Sequence, residues 1–362
     1  MGRRSVETVE IPAHYRLLRE QVREAGLLDR RPAFYAFRMV LTVSAYAGGW
    51  VAVALVGNSW WSLVCAAALA VLFAQVVFIG HDAGHGQIFL SRRRNRLLGL
   101  VVGDLLCGVS FGWWVPKHNA HHARPNEPGL DPDMGGGVLA LTAASVSRPT
   151  TTRSGRILAG WRAWLFVPLL MLQGLGLHVT SADWLARRRD RPAAVETTLL
   201  VAHVAAYAAV VFTVLSPLRA LAFIVVQQAL FGLYLGCSFA PNHKGMPILP
   251  AESPMPSAMR QVITARNVKG GRVVDLLLGG LNHQIEHHLF PTMCRPNLAR
   301  AAPLVRAFCA DAGLHYCETG LITSYRVTLG RLYGSSASAV PAGGSRPCGC
   351  RALTEAAGSR VA

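Results

Sequence analysis

Residues 60–85 read WWSLVCAAALAVLFAQVVFIGHDAGH: an uncharged apolar run leads straight into His81-Asp82-Ala83-Gly84-His85. A helix crossing the hydrocarbon core of a bilayer needs about 20 apolar residues at 1.5 Å each. The run over 60–80 meets that length and ends in a polar, metal-capable cluster. Working outward, the runs over 34–56, 197–218 and 220–240 also qualify. The four form two pairs, joined by short uncharged links around Gly57-Asn58-Ser59 and Ser216-Pro217. The reading is an all-α integral membrane protein with four transmembrane helices in two hairpins. Between the pairs lie Arg92-Arg93-Arg94, Arg96, Arg187-Arg188-Arg189 and Arg191. The excess of positive charge on cytoplasmic loops puts these segments, both termini and the histidine clusters in the cytoplasm.

Composition agrees. Of 362 residues, 52 % are apolar and 15 % charged, with 36 Lys+Arg against 19 Asp+Glu and a formal net charge of +17. Soluble domains carry roughly 25 % charge. High basicity with few charges suits a membrane surface, and no nucleic-acid-binding module interleaves the arginines with aromatics. The first thirty-odd residues are polar and lack the apolar core of a cleavable signal, so residues 1–33 are expected as a cytoplasmic N-terminal segment. The membrane domain is expected over 34–333, and the Ser/Ala/Gly/Pro-rich residues 334–362 as a disordered tail. The eight cysteines form no C-x-x-C pair and read as small hydrophobes or reduced thiols, including Cys348 and Cys350 in that tail.

Two weaker apolar stretches, 97–115 and 161–178, contain Asp104 and Arg162 respectively. They are expected as interfacial helices or re-entrant hairpins. A crossing over 97–115 would put the histidines before it and after it on opposite sides.

Thirteen histidines occur, and eight fall in three clusters: His81 and His85; His118, His121 and His122; His283, His287 and His288. Residues three and four apart share a helix face, so H-x-x-H-H and H-x-x-x-H arrays present several imidazoles to one point. Chance gives one such array in roughly one or two chains per hundred of this histidine content, so a single array would be a weak signal. Three at span ends on one side point to metal. The imidazoles exceed the four ligands of one zinc site, and no thiolate set accompanies them. Spacing therefore implies a polynuclear imidazole centre without naming the metal. Asp82, Asp131, Asp133 and Glu286 are placed to accept ring N–H groups.

These residues resemble the membrane fatty acid desaturases of the acyl-CoA/acyl-lipid type. The matching stretches are His81–His85; Trp113-Trp114 leading to Lys117-His118-Asn119-Ala120-His121-His122; Asp131-Pro132-Asp133; Asn242-His243-Lys244-Gly245; and Asn282-His283-Gln284-Ile285-Glu286-His287-His288-Leu289-Phe290-Pro291. The segment around Asn242 looks most like actinobacterial members. The resemblance implies a di-iron centre held in a cytoplasmic helical cap by His81, His85, His118, His121, His122, His243, His287 and His288. Gln284 stands where other members have the first histidine of the third box. His283 remains an open extra candidate.

The implied reaction is O2-dependent insertion of a double bond into an acyl chain, in the inner cell membrane. No Rossmann fingerprint, flavin motif, iron–sulfur cysteine set or haem segment is present, so an external ferredoxin or NAD(P)H-dependent reductase is implied as electron donor. A hydroxylase or acetylenase on the same iron pair is the nearest rival. A non-redox transition-metal transporter or sensor is the rival of another class, but transport favours ligands near the midplane. Trp113 and Trp114 read as packing residues at the tunnel wall or interface. Lys117, Arg124, Lys244, Arg266 and Lys269 read either as head-group cations or as a solvated basic face. His203, inside the third run, reads as a neutral hydrogen-bonded residue, and His14, His178 and His315 as surface or interfacial ones.

Overall fold

A computed structural model describes residues 11–135 and 165–332. Four helices are long and apolar enough to cross a membrane: α2 (Pro32–Val56), α3 (Ser62–Gly84), α8 (Arg191–Val214) and α9 (Pro217–His243). They correspond to the four runs, with ends set by capping chemistry. Proline in the first turn opens α2, α8 and α9, where its missing N–H has no partner to lose. The Asp190 side chain also accepts from Ala193 N–H, so α8 begins six residues before the apolar run. Ser216 N–H donates to the Asn58 side chain at 2.9 Å, which ties the two hairpin links together.

Helix α3 is the centre of the bundle and packs against α2 and α9. Phe73 is buried between Tyr46, Trp50 and Phe231, with ring centroids 5.2–6.4 Å apart. The outer faces carry exposed Phe37, Val40 and Leu55 on α2, Val201 and Val204 on α8, and Leu218, Leu221 and Val225 on α9. An apolar face of that extent is unsuited to water.

The stretch over 97–115 is not one straight helix. Helix α4 (Arg92–Leu106, its last seven residues in π geometry) meets α5 (Phe111–Ala123) at a bend of 113°. Backbone released by such a break must be satisfied by the protein itself. His203 Nδ1 donates to the Leu105 carbonyl at 2.9 Å, Tyr46 Oη to that of Leu106 at 2.7 Å, and His178 Nδ1 to that of Gly108 at 2.7 Å. Asp104 accepts from Phe111 N–H, and Glu196 accepts from Ser110 Oγ at 2.6 Å and Gly112 N–H at 2.9 Å. Gly108 has φ +68°, and a Cβ there would lie 2.5 Å from the His203 ring. His203 is thus hydrogen-bonded as expected. His178, expected at the surface or interface, instead braces the bend.

Helices α6 (Leu165–Met171) and α7 (Gln173–Ala186) form a second bent pair, at 49°. Beyond α9 follow α10 (Ser257–Ile263), β1 (Asn267–Lys269), α11 (Gly271–Leu277), α12 (Gln284–Leu289), α13 (Arg295–Asp311), β2 (Glu318–Gly320) and α14 (Leu321–Leu332). Strands β1 and β2 pair in parallel. The N-terminal helix α1 (Ile11–Glu24) buries Ile11, Leu18 and Val22 in a second core with Val262, Ile285, Leu298 and Val305. Cys65, Cys107, Cys237, Cys294 and Cys309 are free thiols. The tail from 334, with Cys348 and Cys350, lies outside the described residues, as does 161–164 of the second weak stretch.

Candidate metal centre

Each histidine cluster sits where an element stops. Helix α3 runs past its apolar stretch, so His81 lies in its last turn and His85 at its C-cap. Helix α5 ends at His121, His122 and Ala123, and α9 ends at His243. The six-residue α12 carries His287 and His288. The bend between α4 and α5 returns the chain to its starting side, which brings the His85 and His118 rings to 4.9 Å.

The rings assemble into two groups. Ligand-capable atoms of His81, His85, His118 and His287 lie within 4.8 Å of one another, and so do those of His121, His243 and His288. His122 stands between the groups, its ring 4.6 Å from His118 and 4.2 Å from His288. Its Nε2 faces His118 Nε2 at 3.2 Å. The buried atoms His81 Nε2, His85 Nε2, His122 Nδ1, His288 Nε2 and both nitrogens of His287 have no hydrogen-bond partner. Leaving a buried polar atom unpaired costs about 1–3 kcal/mol. Imidazole lone pairs converging on common points fit a metal, which would relieve that cost. Burial, and then the neighbouring imidazoles, hold His85, His287 and His288 well below the usual histidine range. The neutral ring is the form that binds metal.

The sequence pattern described as "Fatty acid desaturase" matches residues 58–320. The chain belongs to the fatty acid desaturase family. It is 31 % identical over 318 residues to the Delta(5) fatty acid desaturase fat-4 of Caenorhabditis elegans, covering 85 % of this chain and 70 % of the relative. It is 30 % identical over 328 residues to the acyl-lipid (9-3)-desaturase of Physcomitrium patens, covering 87 % of this chain and 61 % of the relative. Fatty acid desaturase 3 of Bos taurus is 29 % identical over 324 residues, covering 86 % and 70 %. This family member therefore spans less than two thirds of the moss relative.

The eight histidines carried over from the desaturase resemblance all lie in the two groups or between them. His283 does not. It forms the N-cap of α12, and its Nε2 is paired with Asp275 at 3.1 Å. Asp82 lies 3.2 Å from His81 Nδ1 and is itself held by Arg295 at 2.6 Å. Asp131 accepts from His121 Nδ1 at 3.0 Å. Burial pushes the Asp131 carboxyl up, but this bond and the His121 charge outweigh it and leave it lowered. Asp133 pairs with Lys117 and stands 3.7 Å from His121 Nδ1, beyond hydrogen-bond reach. Gln284 places Nε2 2.9 Å from His243 Nε2 and accepts from Asn242 through Oε1. Glu286 takes no ring N–H. It accepts from Asn267 at 2.7 Å and Tyr316 at 2.8 Å, so it anchors the back of α12. Burial, only partly offset by those two donors, raises its carboxyl.

Two residues outside every box were missed. Gln261 accepts from His288 Nδ1 at 2.8 Å, and the Thr264 carbonyl accepts from His243 Nδ1 at 2.9 Å. Neither position carries a sequence signal, because each acts through a fold contact. Trp114 stacks on His118 at 4.4 Å and lines the adjoining cavity. Gly84 makes room for it, since a Cβ there would meet the indole at 2.8 Å.

That cavity runs from the histidines between α3, α7 and α9, with Val77, Val109, Phe111, Leu177, Leu235 and Phe239 as apolar wall. Lys117 and Lys244 also line it. Arg266, one of the five cations considered for a head group, is buried instead. It donates to the carbonyls of Pro241 and Lys244 at the end of α9. Arg124 pairs with Glu127 and Lys269 with Glu318.

Proposed function

We propose that the chain is a membrane acyl desaturase that holds two iron ions and inserts a double bond into a fatty acyl chain. The observation that carries this reading is two facing imidazole groups at the end of an apolar cavity, in a desaturase-family chain. His81, His85, His118 and His287 would hold one ion, His121, His243 and His288 the other, with His122 between them. Bound iron would supply, with dioxygen and two electrons from an external ferredoxin or NAD(P)H-dependent reductase, the removal of hydrogen from two adjacent methylenes.

The protein's own contribution is placement. The apolar wall orients a flexible acyl chain and keeps water from the imidazoles. Trp114, locked against His118, limits how close the chain can come. Lys244, and Lys117 with its Asp133 partner, sit where an acyl head group would need a cation. Exposed Arg92, Arg93 and Arg94, and Arg187 to Arg189, lie at the histidine end of the bundle, opposite the Asn58–Ser216 tie. That charge pattern supports a cytoplasmic cap on the inner cell membrane.

The test is acyl-chain mass profiling of a desaturase-deficient host expressing the chain beside a His121→Ala control. A new species two hydrogens lighter, absent from the control, is expected. An oxygenated species would move the reading to a hydroxylase, and no product from iron-loaded protein with a supplied reductase would overturn it.

A further inference from the structure

Gln261 belongs to no histidine box, yet both ends of its buried amide are committed at the centre. Its Nε2 donates to the His122 carbonyl at 2.8 Å. A carbonyl only accepts, so this bond fixes which way the amide faces. Its Oε1 therefore faces His288 Nδ1, at 2.8 Å. An amide oxygen also only accepts, so the His288 proton resides on Nδ1 and the lone pair on Nε2. That Nε2 is buried, has no partner, and belongs to the group with His121 and His243.

The other two rings follow the same rule. Asp131 accepts from His121 Nδ1 and the Thr264 carbonyl from His243 Nδ1. All three Nδ1 atoms are thus occupied by acceptors, and two of those acceptors come from one turn of chain, Gln261 to Thr264. In the first group His81 Nδ1 likewise faces Asp82, but the group differs at His287. His287 has both nitrogens unpaired.

We infer that Gln261 is a positioning residue that sets the tautomer of His288 and so makes the His121–His243–His288 group a preformed site for one of two metal ions. The inference rests on the two-ion reading above. Groups that orient metal-bound histidines typically carry a 10–100-fold effect on affinity. Gln261→Leu removes the acceptor. Gln261→Glu keeps an acceptor on His288 but gives up the amide donor to His122.

The experiment is anaerobic ferrous-iron titration of the purified full-length chain in detergent, with iron per chain counted by elemental mass spectrometry. Wild type is expected to take two irons. Gln261→Leu is expected to weaken one of the two by roughly 10–100-fold and spare the other, whereas Gln261→Glu retains both. A role confined to the His122 tie predicts instead that Gln261→Glu fails like Gln261→Leu, and that result overturns the inference. So does wild-type binding of both irons by Gln261→Leu. If Gln261→Leu does not fold, the Gln261→Glu result decides. An iron-free wild type overturns the two-ion reading and this inference with it, whereas two irons on all three proteins overturn the inference alone.

Discussion

Two regions of this molecule bury histidines among apolar helices, and they assemble the rings differently. At the bend between α4 and α5, His178 and His203 each give an N–H to a carbonyl that the helix break released. At the candidate metal centre His243 also gives an N–H to a carbonyl, but the rings converge in groups and six of their nitrogens remain unpaired. The first arrangement supports the fold, because a buried carbonyl is satisfied. The second costs stability in the metal-free chain and is retained at a functional site. His178 Nε2 is unpaired as well, so the convergence of several imidazoles separates the two roles; burial or one unpaired nitrogen does not.

The largest expected effect is on product. His287→Leu should reduce desaturated acyl species to background in the mass profile, while His203→Leu leaves product per folded chain unchanged. Next comes the bend. Glu196→Ala leaves the Ser110 hydroxyl and Gly112 N–H without their acceptor and should cost about 2–4 kcal/mol, read by unfolding in detergent. Iron per folded chain should hold, and a loss of iron would erase the separation between the regions.

A smaller pair of effects should differ in sign. His203→Leu leaves the Leu105 carbonyl unpaired and should destabilise the metal-free protein by about 1–2 kcal/mol. His287→Leu replaces two unpaired ring nitrogens by an apolar side chain and should stabilise it by about 1 kcal/mol. Equal signs in the two unfolding curves would break the comparison. The smallest effect is set by Lys269, largely exposed and 3.2 Å from Glu318. Lys269→Ala should stay within about 0.5 kcal/mol and leave product unchanged.

The spans and the histidine spacing were readable because both are local. An apolar run of bilayer length and an i, i+3, i+4 pattern need no knowledge of the rest of the chain. The requirement that the first two boxes meet also pointed to an interfacial or re-entrant path for 97–115, and the chain there bends by 113°. What escaped depends on distant contacts. His178 looked interfacial until Gly108, 70 residues away, offered a carbonyl. Arg266 read as a head-group cation or part of a solvated basic face, but the end of α9 presents it with bare carbonyls. Glu286 lies between His283 and His287 in sequence, yet the six-residue helix commits it to Asn267 and Tyr316. Gln261 and Thr264 had no pattern to betray them.

The spread of each histidine group along the chain bears on how the protein is made. Synthesis proceeds from the N-terminus. His81, His85 and His118 emerge early, but each group contains a member of the last box, His287 or His288. Neither group can close until the fourth membrane helix has left the ribosome and its cap has been translated. Metal capture by these groups would thereby be deferred to the end of biogenesis, and a truncated or stalled chain inserted in the bilayer would have no complete centre with which to gather a reactive ion.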